Sequence, residues 1–217
     1  MIVKNYMTDF KYKSAEVLIF MLVKSIPKIL KPKNDWPTIN LTNSLFHSYG
    51  VMYNKYYPSG AIEEERDFLF NLKNNVWAFT LNIGNNKSDI YLALKQRLEK
   101  KEIYGRDHPS IEHVVFHEIG HQFYYSNGIN LNMFDSEQMA DIYANACMLN
   151  LYIKNKCFRG YYNDFSERSL KILEEFKSKR VKTKDLLPIA EIIWRKYGVS
   201  CVQPPSLLSD SSWLFRL

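Results

Sequence analysis

Hydrophobic positions along the chain follow two periods. Over residues 76–83, Val76, Ala78, Thr80 and Asn82 alternate with Trp77, Phe79, Leu81 and Ile83, the pattern of a strand with one strongly apolar face. Over residues 136–153, Met139, Ile142, Ala146, Leu149 and Ile153 recur at steps of three and four, which predicts a helix starting at Asp135 or Ser136. Leu18, Leu22, Ile26 and Ile29 predict another over residues 14–31, with Pro27 as a kink or stop. Short strands are expected at Thr38–Leu41 and, from its Tyr, Val and Met content, at Tyr49–Tyr57. Gly84-Asn85-Asn86 ends the 76–83 strand, and Ser88 or Asp89 is placed to cap a helix reaching about Glu102. Pro109-Ser110 opens a helix over residues 110–125, which Asn127-Gly128 terminates. Two more helices are expected near Asp164–Lys179 and Asp185–Lys196. The tail, with Trp213, Leu214 and Phe215, is expected to dock on the body.

Strands therefore come early and helices late. That order predicts an α+β fold with a small early β-sheet and a mainly helical C-terminal part. A single domain over residues 1–217 is expected: an N-terminal helical segment (1–35), a core (36–155), and a helical C-terminal part with a docked tail (156–217).

Composition narrows the function classes. The hydrophobic fraction is 46% and the charged fraction 24%, which excludes a disordered chain or a rod. A net charge of +6 without a strong cluster makes no nucleic-acid footprint, so no nucleic-acid partner is expected. The apolar run Ala15–Val23 contains Glu16, is too short to span a bilayer, and lacks a cleavage site for a leader. No membrane association is expected. Cys147, Cys157 and Cys201 make neither a disulfide framework nor a Cys-x-x-Cys metal site, so a reducing, cytoplasmic setting fits.

The chemistry concentrates on the helix over 110–125. His117 and His121 lie one turn apart, about 40° around the axis, so both imidazoles can converge on one Zn²⁺. Glu118 is displaced from that line, but near enough to act as general base toward a water that the metal activates. A third ligand is needed. Glu137 and Asp141 are one turn apart on the next helix: Glu137 can supply that ligand, and Asp141 can accept a hydrogen bond from the far nitrogen of a ligating histidine. His113, a turn before His117, reads as an exposed histidine more readily than as a neighbour of the metal. Tyr124, Tyr143 and Tyr161 are candidates for stabilising an oxyanion by proximity alone, and Cys147 reads as a small buried apolar residue.

His117-Glu118-Ile119-Gly120-His121, followed by Glu137-x-x-Ala140-Asp141 and Tyr143-Ala144, resembles the gluzincin zinc metallopeptidases, and most closely the ImmA/IrrE-type peptidases. The resemblance covers residues 76–150. It implies a zincin-like fold in which His117, His121 and Glu137 bind zinc, Glu118 is the catalytic base and Asp141 stands behind the ligands. It also implies that the 76–83 strand edges the cleft and pairs with an extended substrate, although an ordinary strand reads as well. The expected function is hydrolysis of a protein or peptide substrate. The alternative is a catalytically silent binding or structural protein on the same scaffold.

Overall fold

The computed structural model describes residues 2–7, 15–33, 36–56, 78–84, 87–94, 111–129, 133–154 and 182–197. The expected helix at 164–179, the docked tail and Tyr161 lie outside these residues. Among the described residues nine elements follow in chain order: β1 (Ile2–Asn5), α1 (Ala15–Ser25), β2 (Thr38–Leu41), α2 (Leu45–Tyr56), β3 (Ala78–Gly84), β4 (Lys87–Leu92), α3 (Ile111–Ser126), α4 (Met133–Lys154) and α5 (Leu186–Tyr197). Short 3₁₀ turns sit at Lys28–Leu30 and Thr183–Asp185.

The four strands form one mixed sheet in the order β1-β2-β4-β3. β1, β2 and β4 are parallel, with Ile39 opposite Ile90 and Leu41 opposite Leu92. β3 runs antiparallel to β4 and is the edge strand among the described residues, with Thr80 opposite Ile90. The fold is thus mixed α and β, with a small sheet and mostly helical remainder.

Both faces of the sheet are covered. Ile39, Leu41, Ile90 and Leu92 face a main core shared with α1, α3, α4 and α5. Tyr91 points the other way and stacks on Phe79, which stacks on Tyr49 of α2, with ring centroids 4.9 Å and 4.7 Å apart. Burial on both sides explains why residues 90–94 read as an unbroken apolar run.

Two expectations fail here. Tyr49–Tyr57 is not a strand. Residues 45–56 form α2, because Leu45, Tyr49, Met52 and Tyr56 fall on one helical face against the second core. Ser44 opens this helix: its Oγ accepts the His47 amide at 3.2 Å, and His47 Nδ1 accepts the Asn43 amide at 3.3 Å. Nor does Asp89 cap a helix. It lies within β4, where its buried carboxylate accepts hydrogen bonds from Lys55 Nζ and from Tyr56 Oη, the latter at 2.6 Å.

The N-terminal segment also differs from an all-helical piece, since Ile2–Asn5 pairs with β2. α1 stops at Ser25, ahead of Pro27, so Leu22 and Ile26 are buried while Ile29 is left exposed on the 3₁₀ turn. No helix among the described residues is long and apolar enough to cross a membrane.

α3 packs along α4, and α4 also packs along α5. α4 is accordingly buried nearly all round from Ile142 to Leu151, and Cys147 is a buried thiol on it whose pKa burial raises. Gly120 sets the α3–α4 approach. A Cβ there would lie 3.0 Å from Ala140 Cα and 3.2 Å from both Ala140 O and Tyr143 Cβ. The glycine inside the His-Glu-x-Gly-His run is therefore a packing requirement.

Candidate metal centre

The crossing of α3 and α4 at Gly120 brings the first turns of α4 against the middle of α3. His117 Nε2 lies 3.2 Å from Glu137 Oε2 and 3.2 Å from His121 Nε2, and His121 Nε2 lies 3.4 Å from Glu137 Oε1. Three side chains from two helices thus converge in a triangle, with one Glu137 carboxylate oxygen turned to each imidazole. Their side chains are 9%, 16% and 29% exposed for His117, His121 and Glu137, so the triangle is sheltered but reachable.

The far nitrogens of both histidines are engaged. His117 Nδ1–H donates to Asp141 Oδ1 at 2.7 Å, and His121 Nδ1 pairs with Ser136 Oγ at 2.9 Å. These bonds fix the rings and turn both Nε2 atoms inward. Asp141 Oδ1 is also 3.2 Å from His113 Nε2. His113 is only 2% exposed, which corrects its reading as a surface histidine. Its position depends on α4 covering this face of α3, which the spacing within α3 cannot reveal.

Charge follows from these contacts. Burial disfavours a proton on His117, but the neighbouring Asp141 carboxylate, with Glu137, outweighs it and holds the imidazolium well above its ordinary range. Burial would raise Asp141, yet His117 and His113 hold it well below the usual carboxylate range. Burial, and then the charge on His117, push His121 down to about 4.

Two overlapping donor groups could hold a metal ion: His117, His121 and Glu137, and, more deeply, His113, His117 and Asp141. Tetrahedral ligands about 2.0–2.1 Å from zinc are separated from each other by about 3.3–3.4 Å. In the first group the two Nε2 atoms are 3.2 Å apart and each lies 3.2–3.4 Å from one of the Glu137 carboxylate oxygens, close to that spacing. In the second, the 2.7 Å contact between His117 Nδ1 and Asp141 is a hydrogen-bond distance, which suits a supporting role.

Glu118 is turned away from the triangle's supports, toward the sheet. Its Oε2 accepts a hydrogen bond from Thr80 Oγ1 of β3 at 2.6 Å, and the residue is 7% exposed. Tyr143 donates its hydroxyl to Leu30 O at 2.7 Å inside the core, away from the site, and Tyr124 is buried in the main core. Thr80 and Ser136 escape a reading of the sequence. Ser136 adjoins Glu137 and Thr80 sits in the clearest strand, but only the assembled fold supplies their partners.

No family model, no curated protein and no solved structure matches this chain.

Proposed function

We propose that this chain is a zinc-dependent metallopeptidase on a zincin-like scaffold, with His117, His121 and Glu137 holding Zn²⁺ and Glu118 as general base. The observation that carries the reading is the donor triangle, whose 3.2–3.4 Å sides fit tetrahedral zinc. Two neutral imidazoles and one carboxylate suit zinc, and three protein ligands rather than four leave a position open, as catalytic sites require. A bound Zn²⁺ there would supply Lewis acidity, lowering the pKa of water and polarising a carbonyl oxygen.

The remaining work falls to the protein. Asp141 and Ser136 keep the two imidazoles in one tautomer and orientation. Glu118 takes the proton of the attacking water and delivers it to the leaving amine of the cleaved peptide. No covalent intermediate with the protein is involved. β3, the sheet edge among the described residues, would offer its outer main chain to an extended substrate, whose backbone it would bind as an added strand.

Glu118→Gln tests the reading. The substitution keeps size and polarity, so zinc content and melting should persist while turnover of a peptide library falls by about 10²–10⁴. Turnover that survives Glu118→Gln unchanged would remove Glu118 as the base, and zinc held without any peptide turnover by the unaltered chain would leave a zinc-holding binding protein instead.

A further inference from the structure

Within the peptidase reading, on which this inference rests, one contact links the base to the strand beside it. We propose that Thr80 is a positioning residue for Glu118: the edge strand holds the carboxylate through the threonine hydroxyl, and so sets where the base stands relative to a substrate lying along β3.

The hydroxyl carries a single proton. Its two acceptors on α3 are Glu118 Oε2 at 2.6 Å and the Glu118 carbonyl oxygen at 3.2 Å. The shorter contact, to the side-chain oxygen, takes the proton. A carboxylate on a flexible side chain is thereby fixed through one oxygen, from an element other than its own helix. Fixing it limits the rotamers that Glu118 samples.

The placement of Thr80 is forced by the sheet. Thr80 stands opposite Ile90, whose side chain faces the main core beneath α3. Its neighbours Phe79 and Leu81 pack on the other face, against the α2 side. The period of the strand therefore aims Thr80, and neither neighbour, at α3. Among the described residues β3 pairs in the sheet with β4, so its position determines that of Thr80, and through it that of Glu118. The element that would seat a peptide backbone is then the same element that aligns the base. A misplacement on the order of 1 Å at such a group costs about 10²-fold in rate.

The test joins catalysis to a measurement that needs no metal. Thr80→Val keeps the shape and removes the donor; Thr80→Ser keeps the donor. In the zinc-loaded protein, Thr80→Val should lower kcat by about 10–100-fold with KM within about twofold and zinc content unchanged, and Thr80→Ser should restore most of it. In the metal-free protein, Thr80→Val should lower Tm by roughly 3–10 °C, but by much less in a Glu118→Ala background. A Thr80→Val protein with wild-type kcat, or equal Tm losses in both backgrounds, would overturn the assignment. Coupled Tm losses in a zinc-loaded wild type that cleaves no peptide would overturn the peptidase reading, and with it the catalytic use of the contact, while leaving the contact itself established.

Discussion

Replacing Gly120 by Ala puts one methyl group into the tightest part of the α3–α4 crossing. That carbon would meet Ala140 Cα at 3.0 Å, Ala140 O at 3.2 Å and Tyr143 Cβ at 3.2 Å. Carbon pairs rest at about 3.5–4.0 Å, so the helices must part by about 0.5 Å. Two of the three obstacles are backbone atoms and cannot swing aside. Overpacking of this kind costs about 1–3 kcal/mol, and the better helix propensity of Ala returns about 1 kcal/mol. The net loss is about 0–2 kcal/mol. Gly50→Ala is the internal reference. Gly50 lies within α2 with nothing within 4 Å of an added Cβ, so there the same change should stabilise by up to about 1 kcal/mol. The two variants should differ by about 1–3 kcal/mol in urea unfolding. The site should suffer more than the fold. Parting by about 0.5 Å exceeds the tolerance of about 0.2 Å on ligand distances, and zinc affinity should fall about 10–100-fold in competition with a chromogenic chelator. A Gly120→Ala protein as stable as Gly50→Ala, with wild-type zinc affinity, would refute both the packing role of Gly120 and the dependence of the triangle on it.

Three further outcomes are expected. Asp141→Asn keeps an acceptor but removes the charge behind His117, and should weaken zinc about 10–100-fold in the same chelator competition; undiminished affinity would take Asp141 out of the site. Zinc binding at pH 7 should release about one proton, because Asp141 and Glu137 keep His117 protonated above its ordinary range, whereas His121, pushed down to about 4, has none to lose. Affinity should then weaken as pH falls, and calorimetric heats independent of buffer ionisation enthalpy would contradict this. Asp89→Asn should cost about 1–3 kcal/mol in urea unfolding, since it weakens the ties from Lys55 and Tyr56 that join α2 to the sheet; Lys55 is 35% exposed and regains water, which keeps the loss below that of a fully buried pair. An unchanged midpoint would show that the ties carry no stability.

The parts of this protein that the sequence discloses are those whose cause is local. The one-turn spacings of His117 with His121 and of Glu137 with Asp141 need only a helix to become neighbours. Residues 49–57 mislead because Tyr and Val favour strands, although Ser44 and His47 already carry a helix-start signal. Ser88-Asp89 misleads in the opposite sense: a good capping pair became the buried polar end of β4, with Ser88 hydrogen-bonded to Gln122 and Asp89 to Lys55. His113 and Thr80 are the hardest cases. Their partners, Asp141 and Glu118, lie 28 and 38 residues away, and no spacing rule reaches that far.

The burial profile of α4 gives the centre a hard side and a soft side. From Ile142 to Leu151 the helix is clamped by its neighbours, while Asp135 is exposed and Ser136 to Met139 are only half-buried. The two imidazoles belong to the buried middle of α3, whereas Glu137, the third donor of the proposed site, rides on the half-buried N-terminal part of α4. The arrangement is that of a clasp with one moving jaw. In the proposed zinc site an ion would be admitted or surrendered by local opening at the start of α4, with the hydrophobic interior undisturbed, so that metal exchange need not wait for global unfolding.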